Sequence, residues 1–184
     1  MQAEIIAVGS ELLTPSRIDT NSLFLTRKLN QHGIEVIRKT IIGDDRERLA
    51  HEIRRARAGA GIVIMTGGIG PTLDDISREA AADALGRELR FDAEIMKQIE
   101  ARILRVRREM APINRRQAYI LEGAEVLPNA QGTAPGQWYE DDQGILMLLP
   151  GPPREIEPLF EEQCEPRLAK IGSRHHYYTA CLRV

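Results

Sequence analysis

The chain has 184 residues, enough for one compact core, and its 42% hydrophobic and 28% charged residues exclude a disordered segment. A net charge of -2 argues against a surface built to grip long nucleic acid, whose phosphates demand clustered positive charge. Ile5–Val8 is too short an apolar run for a signal peptide, no run is long enough to span a bilayer, and Cys164 and Cys181 sit in no metal-binding or disulfide pattern. No membrane partner is expected, and a reducing cytoplasm is the expected location.

The first half alternates short apolar runs with amphipathic stretches. Ile5–Val8 reads as a buried strand ending at Gly9. A helix follows from about Thr20, with Phe24, Leu25 and Leu29 on one face and Gly33 as its stop. Glu35–Ile42 reads as a second strand, after which Asp44 or Asp45 caps a helix carrying Leu49, Ile53 and Ala56 and ending near Gly59. Ile62–Met65 is a third strand, followed by a glycine-rich turn and a helix opening at Asp74 or Asp75. Three strand–helix units in succession predict a parallel sheet with helices on both faces and a ligand crevice at the carboxyl ends of the strands. Gly9, Asp44 and Gly67 each follow one of those strands.

The second half is less regular. Asp92–Met110 predicts a long helix with Ile95, Ile99, Ile103, Val106 and Met110 on one stripe, and Arg102, Arg105, Arg107 and Arg108 on its wet side. Ala124–Leu127 and Ile145–Leu149 read as short strands separated by the turn-rich segment Pro128–Gly136. Pro150-Gly151-Pro152-Pro153 leads into a helix with Ile156, Leu159, Phe160 and Cys164 facing the core, and Pro158 is expected no deeper than its first turn, because beyond it a proline forfeits a hydrogen bond. Residues 1–170 read as one domain and 171–184 as the start of a following segment; Tyr177–Val184 looks like a strand just beginning, which suggests a fragment of a longer protein. His175 and His176 have no third ligand at metal spacing.

The chemistry concentrates at Thr66-Gly67-Gly68-Ile69-Gly70-Pro71-Thr72. A strand that ends in glycines and leads into a helix exposes backbone N–H groups, and with the helix dipole these favour phosphate. The plainer alternative is a tight turn needing positive φ. The spacing matches neither a Walker loop nor the dinucleotide fingerprint. Asp74 and Asp75 follow at once. One suffices for an N-cap, and two beside a phosphate site exceed that need, since Mg²⁺ takes one or two carboxylates and completes its shell with phosphate and water. Asp44 and Asp45 pose the same choice, with Asp44 and Glu47 also able to form a capping-box-like start. Glu11 closes the first strand and reaches the same edge, or is merely solvated. Asp19, Thr20 and Asn21 form a helix cap or hydrogen-bond a sugar or base. Arg115 and Arg116 are either a pyrophosphate clamp or a solvated pair.

Taken in order, IIAVGSELL (5–13), DTNS (19–22), IIGDDRERL (41–49), TGGIGPTLDD (66–75), NRRQA (114–118), EGAEVLPNAQGTAPG (122–136) and LPGPPREIEPLF (149–160) resemble the N-terminal domain of the CinA (competence/damage-inducible) family, within the wider molybdopterin-binding fold of MogA and MoaB. The resemblance covers nearly the whole chain, and Ser77 stands where the family often has Thr, keeping the hydroxyl. It implies a three-layer α/β/α sandwich with a mostly parallel central sheet, and assembly into homo-oligomers. It further implies a metal-dependent pyrophosphatase that splits ADP-ribose into AMP and ribose 5-phosphate, using a divalent Mg, Mn or Co ion with K⁺ as a further cation. In that reading Asp44, Asp75 and Arg115 are catalytic, and Glu11, Asp44, Asp74 and Asp75 hold metal. The nucleotide or pterin lies on Gly9, Glu11, Asn21, Thr66, Gly67, Gly68, Gly70, Pro71, Thr72, Gly132, Thr133, Pro150 and Gly151. The MogA-like alternative is molybdopterin binding and adenylylation; a non-catalytic nucleotide- or pterin-binding module is the third. Full-length CinA proteins often add a C-terminal deamidase domain, and no segment of this chain matches it.

Overall fold

A computed structural model describes residues 1–105 and 109–171 of the chain. Strand β1 (Gln2–Val8), helix α1 (Thr20–Gln31), β2 (Glu35–Ile42), α2 (Arg46–Gly59), β3 (Ile62–Thr66) and α3 (Ser77–Leu85) form the three expected strand–helix units. After them come β4 (Leu89–Phe91), α4 (Ala93–Leu104), β5 (Tyr119–Leu121), β6 (Glu125–Leu127), β7 (Gly136–Asp141), β8 (Gly144–Leu149), α5 (Pro153–Leu159) and α6 (Glu165–Ile171). The main sheet runs β2-β1-β3-β8-β7-β6. The first four are parallel neighbours, and β7 is antiparallel to both β8 and β6.

The period of two along each strand divides the core. Ile5, Ile62, Ile64, Ile145, Met147 and Leu149 point to one face and meet Phe24, Leu25 and Leu29 of α1 with Ile156, Leu159 and Phe160. Their neighbours Ile6, Val8, Val63, Met65, Leu146 and Leu148 point to the other and meet Leu49, Ile53 and Ala56 of α2 with Ala80–Ala82 of α3. The chain is therefore a three-layer α/β/α sandwich, and every residue of β3 is buried. None of the helices among the described residues is long and apolar enough to cross a membrane.

Several elements differ from the sequence expectation. The third helix opens at Ser77, not at Asp74 or Asp75, because the Asp75 carboxylate turns back into the preceding loop. Of the two adjacent aspartates after β2, Asp45 is the N-cap, accepting from Arg48 N at 3.0 Å, so the Asp44–Glu47 box is not formed. The long helix stops at Leu104; Met110 still packs with Ile99 and Ile103, and Val106, Arg107 and Arg108 lie outside the described residues. Arg102 is not a solvated residue, since its guanidinium donates to the carbonyls of Asn129 and Ala130.

Pro158 lies in the second turn of α5, where its ring removes a backbone donor. The chain then widens into a π-helical turn over Phe160–Cys164 before α6, whose second residue is Pro166. That wide turn between two prolines keeps Phe160, Cys164 and Leu168 buried on one side. The expected strand at Tyr177–Val184, the pair His175 and His176, and Cys181 lie outside the described residues.

β4 and β5 make a separate antiparallel pair beside α3, and Ile99 and Ile103 of α4 cluster there with Ala118 and Phe91. Gln137, buried on β7, joins this appendage to the main sheet: its Oε1 accepts from Leu121 N at 2.8 Å and its Nε2 donates to Tyr119 O at 3.2 Å. The appendage matters because a 3₁₀ segment, Pro112–Ala118, hangs from it toward the carboxyl edge of the sheet.

Ile64→Ala, in the middle of the fully buried β3, should cost about 2–5 kcal/mol in denaturant unfolding. Ile37→Ala on β2, 41% exposed, should stay within about 0.5 kcal/mol of wild type.

Candidate functional site

A cleft of about 730 Å³ opens at the carboxyl ends of β1, β3 and β8. Because β7 runs antiparallel, the loop that leads into it reaches the same edge. The cleft wall therefore gathers Gly9 and Glu11 after β1, Asp44 after β2, the turn Thr66–Thr72 with Asp74 and Asp75, Thr133 before β7, and Pro150 and Gly151 after β8.

The turn is held from two sides. Asp75 Oδ1 accepts from Gly70 N at 2.8 Å, while Oδ2 accepts from Thr72 N at 2.8 Å and from the Thr72 hydroxyl at 2.6 Å. Beneath the turn, the buried Arg78 guanidinium donates to the carbonyl of Ile69 and, at 2.7 Å, to that of Gly70. Burial pulls Arg78 down to about 10, with the carboxylates of Glu79 and Asp75 opposing the shift, so it stays charged at neutral pH. Ser77 completes the anchor, its N–H donating to Gly68 O at 2.9 Å and its hydroxyl to Gly67 O at 2.8 Å.

Glycine is required twice. Gly67 sits at φ 97°, where a Cβ would overlap Val8 O, and Gly68 at φ 66°, where a Cβ would overlap the Ser77 hydroxyl. With the other donors engaged, the N–H groups of Gly68 and Ile69 have no protein acceptor among the described residues, and both residues line the cleft. They are the donors that this turn can offer an anion.

The neighbouring walls are tied in as well. Asn21 Nδ2 donates to Thr66 Oγ1 at 2.9 Å and to Gly151 O at 2.6 Å, and the Thr66 hydroxyl donates to Pro150 O at 3.2 Å. Asp19 caps α1, accepting from Ser22 N at 2.9 Å. Asp44 pairs reciprocally with Ser10: its Oδ2 accepts from Ser10 N and its own N–H donates to Ser10 Oγ, both at 3.0 Å. Glu11 and Asp74, both exposed at the cleft, have carboxylates without a protein hydrogen bond among the described residues.

The lining carboxylates Glu11, Asp19, Asp44, Asp74, Asp75 and Glu155 face a single lining cation, Arg17. Among the described residues no three His, Cys, Asp or Glu side chains converge into a metal site. The donor set therefore does not form a resident cation cage. It does suit a divalent cation that shares its shell with a phosphate, as Mg²⁺ commonly does.

Three expected residues stand apart from the cleft. Arg115 stacks over the Phe91 ring, 4.1 Å from its centroid, and Arg116 instead braces the turn from outside, donating to the carbonyls of Thr72 and Asp75 and pairing with Glu79 at 2.7 Å. Gly132 lies behind the cleft wall, its N–H donating to Asn129 Oδ1 at 2.8 Å. The remaining expected residues line the cleft.

The structure adds Arg78, Arg17, Gln117, Asn129 and Glu155, which sequence reasoning missed. Arg78 had no signal, since a cation one residue into a helix normally faces water. Asn129 had one: an Asn three residues before Gly132 in a turn-rich segment, whose side chain closes that loop by accepting from Gln131 N and Gly132 N.

In open α/β folds a crevice at the carboxyl edge of the sheet, such as this polar cleft with its glycine turn, is the usual place for a ligand. The family model described as "Probable molybdopterin binding domain" matches residues 4–170, and the chain belongs to that family. It is 53% identical over 184 residues to a CinA-like protein of Solibacter usitatus, covering all of this chain but 44% of the relative, and 50% identical over 173 residues to a CinA-like protein of Acidobacterium capsulatum, covering 92% and 42%. The chain thus spans less than half the length of these relatives. The crystal structure of the CinA protein of Thermoplasma acidophilum, itself of unknown function, superposes with a TM-score of 0.84 at 30% identity, covering 91% of this chain and 99% of that one. The molybdopterin biosynthesis enzyme MoaB of Thermus thermophilus superposes with a TM-score of 0.57 at 18% identity, over 92% of this chain and 95% of that one, which establishes a shared fold.

Asp75→Asn replaces one carboxylate oxygen by an NH₂ group that faces an N–H donor. It should speed hydrogen exchange at the Gly70 and Thr72 amides by about tenfold or more and cost about 1–3 kcal/mol, read by NMR exchange and denaturant unfolding.

Proposed function

We propose that this domain binds a phosphorylated pterin of the molybdopterin class in the cleft, with the phosphate on the turn after β3. The observation that carries the reading is the pair of unused N–H groups at Gly68 and Ile69, in a cleft-lining turn fixed by Asp75, Arg78 and Ser77. Preformed donors cost no reorganisation when the anion arrives, and the buried Arg78 charge beneath them adds a favourable field. The family's character as a probable molybdopterin binding domain and the cofactor-synthesis role of a neighbour of the same fold favour a pterin over other phosphate esters.

The acidic walls oppose a bare anion, so a divalent cation should accompany the phosphate. Glu11 and Asp74 are the carboxylates free to hold it. When bound, such a cation would neutralise phosphate charge; Gly68, Ile69 and Arg78 do the positioning from the protein side. Water activation is a different task. Asp75 uses its oxygens to hold the turn and Asp44 pairs with Ser10, so binding is better supported than ADP-ribose hydrolysis.

Calorimetric titration of the chain with molybdopterin in Mg²⁺ should give binding that weakens at least tenfold in chelator or in Gly68→Ala. Absence of binding by a protein with a cooperative unfolding transition would overturn the pterin reading. Incubation with ADP-ribose in Mg²⁺, Mn²⁺ or Co²⁺ plus K⁺ should release no AMP; release would make the domain a pyrophosphatase instead.

A further inference from the structure

The turn accounts for the phosphate end of a ligand and leaves another part of the cleft wall without a role. That wall is formed by Gln117, Thr133 and Glu155, on segments before β5, before β7 and at the start of α5. Gln117 is only 2% exposed, yet it lines the cleft. Its Nε2 donates to Thr133 Oγ1 at 2.9 Å, and its Oε1 is buried with no hydrogen-bond partner.

A buried amide oxygen without a donor is costly, because folding strips its water and returns nothing. Among Gln117, Thr133 and Glu155 this oxygen is the one buried side-chain polar atom left without a partner. Glu155 Oε2 accepts from Asn129 Nδ2 at 2.9 Å, and the same Nδ2 donates to Ala134 O at 2.9 Å. The amide is also fixed in place: the Thr133 bond holds one end, and Ala118 beside it is fully buried in the core between α4 and the β4–β5 pair. Gln117 therefore presents a preformed acceptor at a set position, on a residue distinct from the Gly68 and Ile69 donors.

We infer that Gln117 reads the non-phosphate part of the ligand, accepting a hydrogen bond through Oε1 from an N–H or O–H group there. The inference rests on the cleft being the ligand site, as proposed above, and goes beyond it by naming the group that selects among phosphate esters. A site with a buried acceptor penalises any ligand that brings no donor to it, so discrimination comes from the unpaired oxygen as much as from the bond. An amine-bearing heterocycle and a sugar hydroxyl both meet the requirement, and the ligands below separate them.

The test compares wild type, Gln117→Leu and Gln117→Glu by calorimetry with molybdopterin, AMP, ribose 5-phosphate and inorganic phosphate, each in Mg²⁺. Gln117→Leu should bind molybdopterin about tenfold or more weakly, the scale of one lost hydrogen bond, while inorganic phosphate is unchanged. Gln117→Glu keeps an acceptor and should restore most of the affinity. A loss seen with AMP but not ribose 5-phosphate assigns the donor to the heterocycle; a loss with both assigns it to the sugar. Should wild type bind AMP and not molybdopterin, the pterin reading fails while the Gln117 comparison is still read on AMP. Equal affinities in all three proteins, an equal loss for every ligand including phosphate, or no binding of any ligand by wild type would overturn the inference. A Gln117→Leu protein that melts higher with unchanged affinities would overturn it too, marking the orphan oxygen as a cost without a use.

Discussion

Peptide groups between Thr66 and Thr72 belong to neither strand nor helix, and the fold supplies them with partners from two opposite charges. The carboxylate of Asp75 takes N–H groups and the guanidinium of Arg78 takes carbonyls. Each ion also lies in the other's field, which eases the burial of Arg78. The turn thereby acquires one geometry at the point where β3, the central buried strand, meets the cleft. A segment rich in glycine has much conformational freedom to lose, and these bonds offset that loss.

The carboxylates around the cleft show how one side-chain chemistry serves several ends. Asp19 and Asp45 cap helices, Asp44 staples the loop after β1 to the loop after β2, and Asp75 organises a turn. Each of these has at least one oxygen occupied by a backbone N–H, so an acid count in this region overstates the negative charge open to a ligand. Glu11 and Asp74 remain as carboxylates without such bonds, on either side of the turn in sequence.

The parallel core was legible because its strands are continuous apolar runs and its first two helices carry Asp caps, Asp19 and Asp45. Less legible were β4, β5 and β7. The first two are only three residues long, and in β7 the sequence Gly-Gln-Trp-Tyr-Glu-Asp hides burial behind a glutamine whose amide bonds to a neighbouring backbone. The start of α3 was misplaced because an aspartate before a helix reads as a cap, and only tertiary geometry reveals that Asp75 faces backward. Within the site, the glycines and the residues after β1 and β8 were found from their place at strand ends. Arg115 and Arg116 could not be told apart, since adjacent residues point to different surroundings: one to Phe91, the other to the turn. Arg78 and Gln117 escaped notice because a buried polar side chain looks in sequence like any solvated one.

The place of β8 beside β3 carries a consequence for how the molecule is made. β3 spans Ile62–Thr66, and its second neighbour is Gly144–Leu149. During synthesis the middle of the sheet must wait, with one fully apolar edge unpaired, until the residues up to Leu149 have left the ribosome. The Asn21 side chain waits as well, because one of its two partners, Gly151, comes 130 residues later. A nascent chain stopped before β8 would hold the glycine turn yet lack the wall that faces it. The cleft is thus completed only once β8 has been made, and pauses in translation between β3 and β8 are the interval in which a folding helper has most to protect.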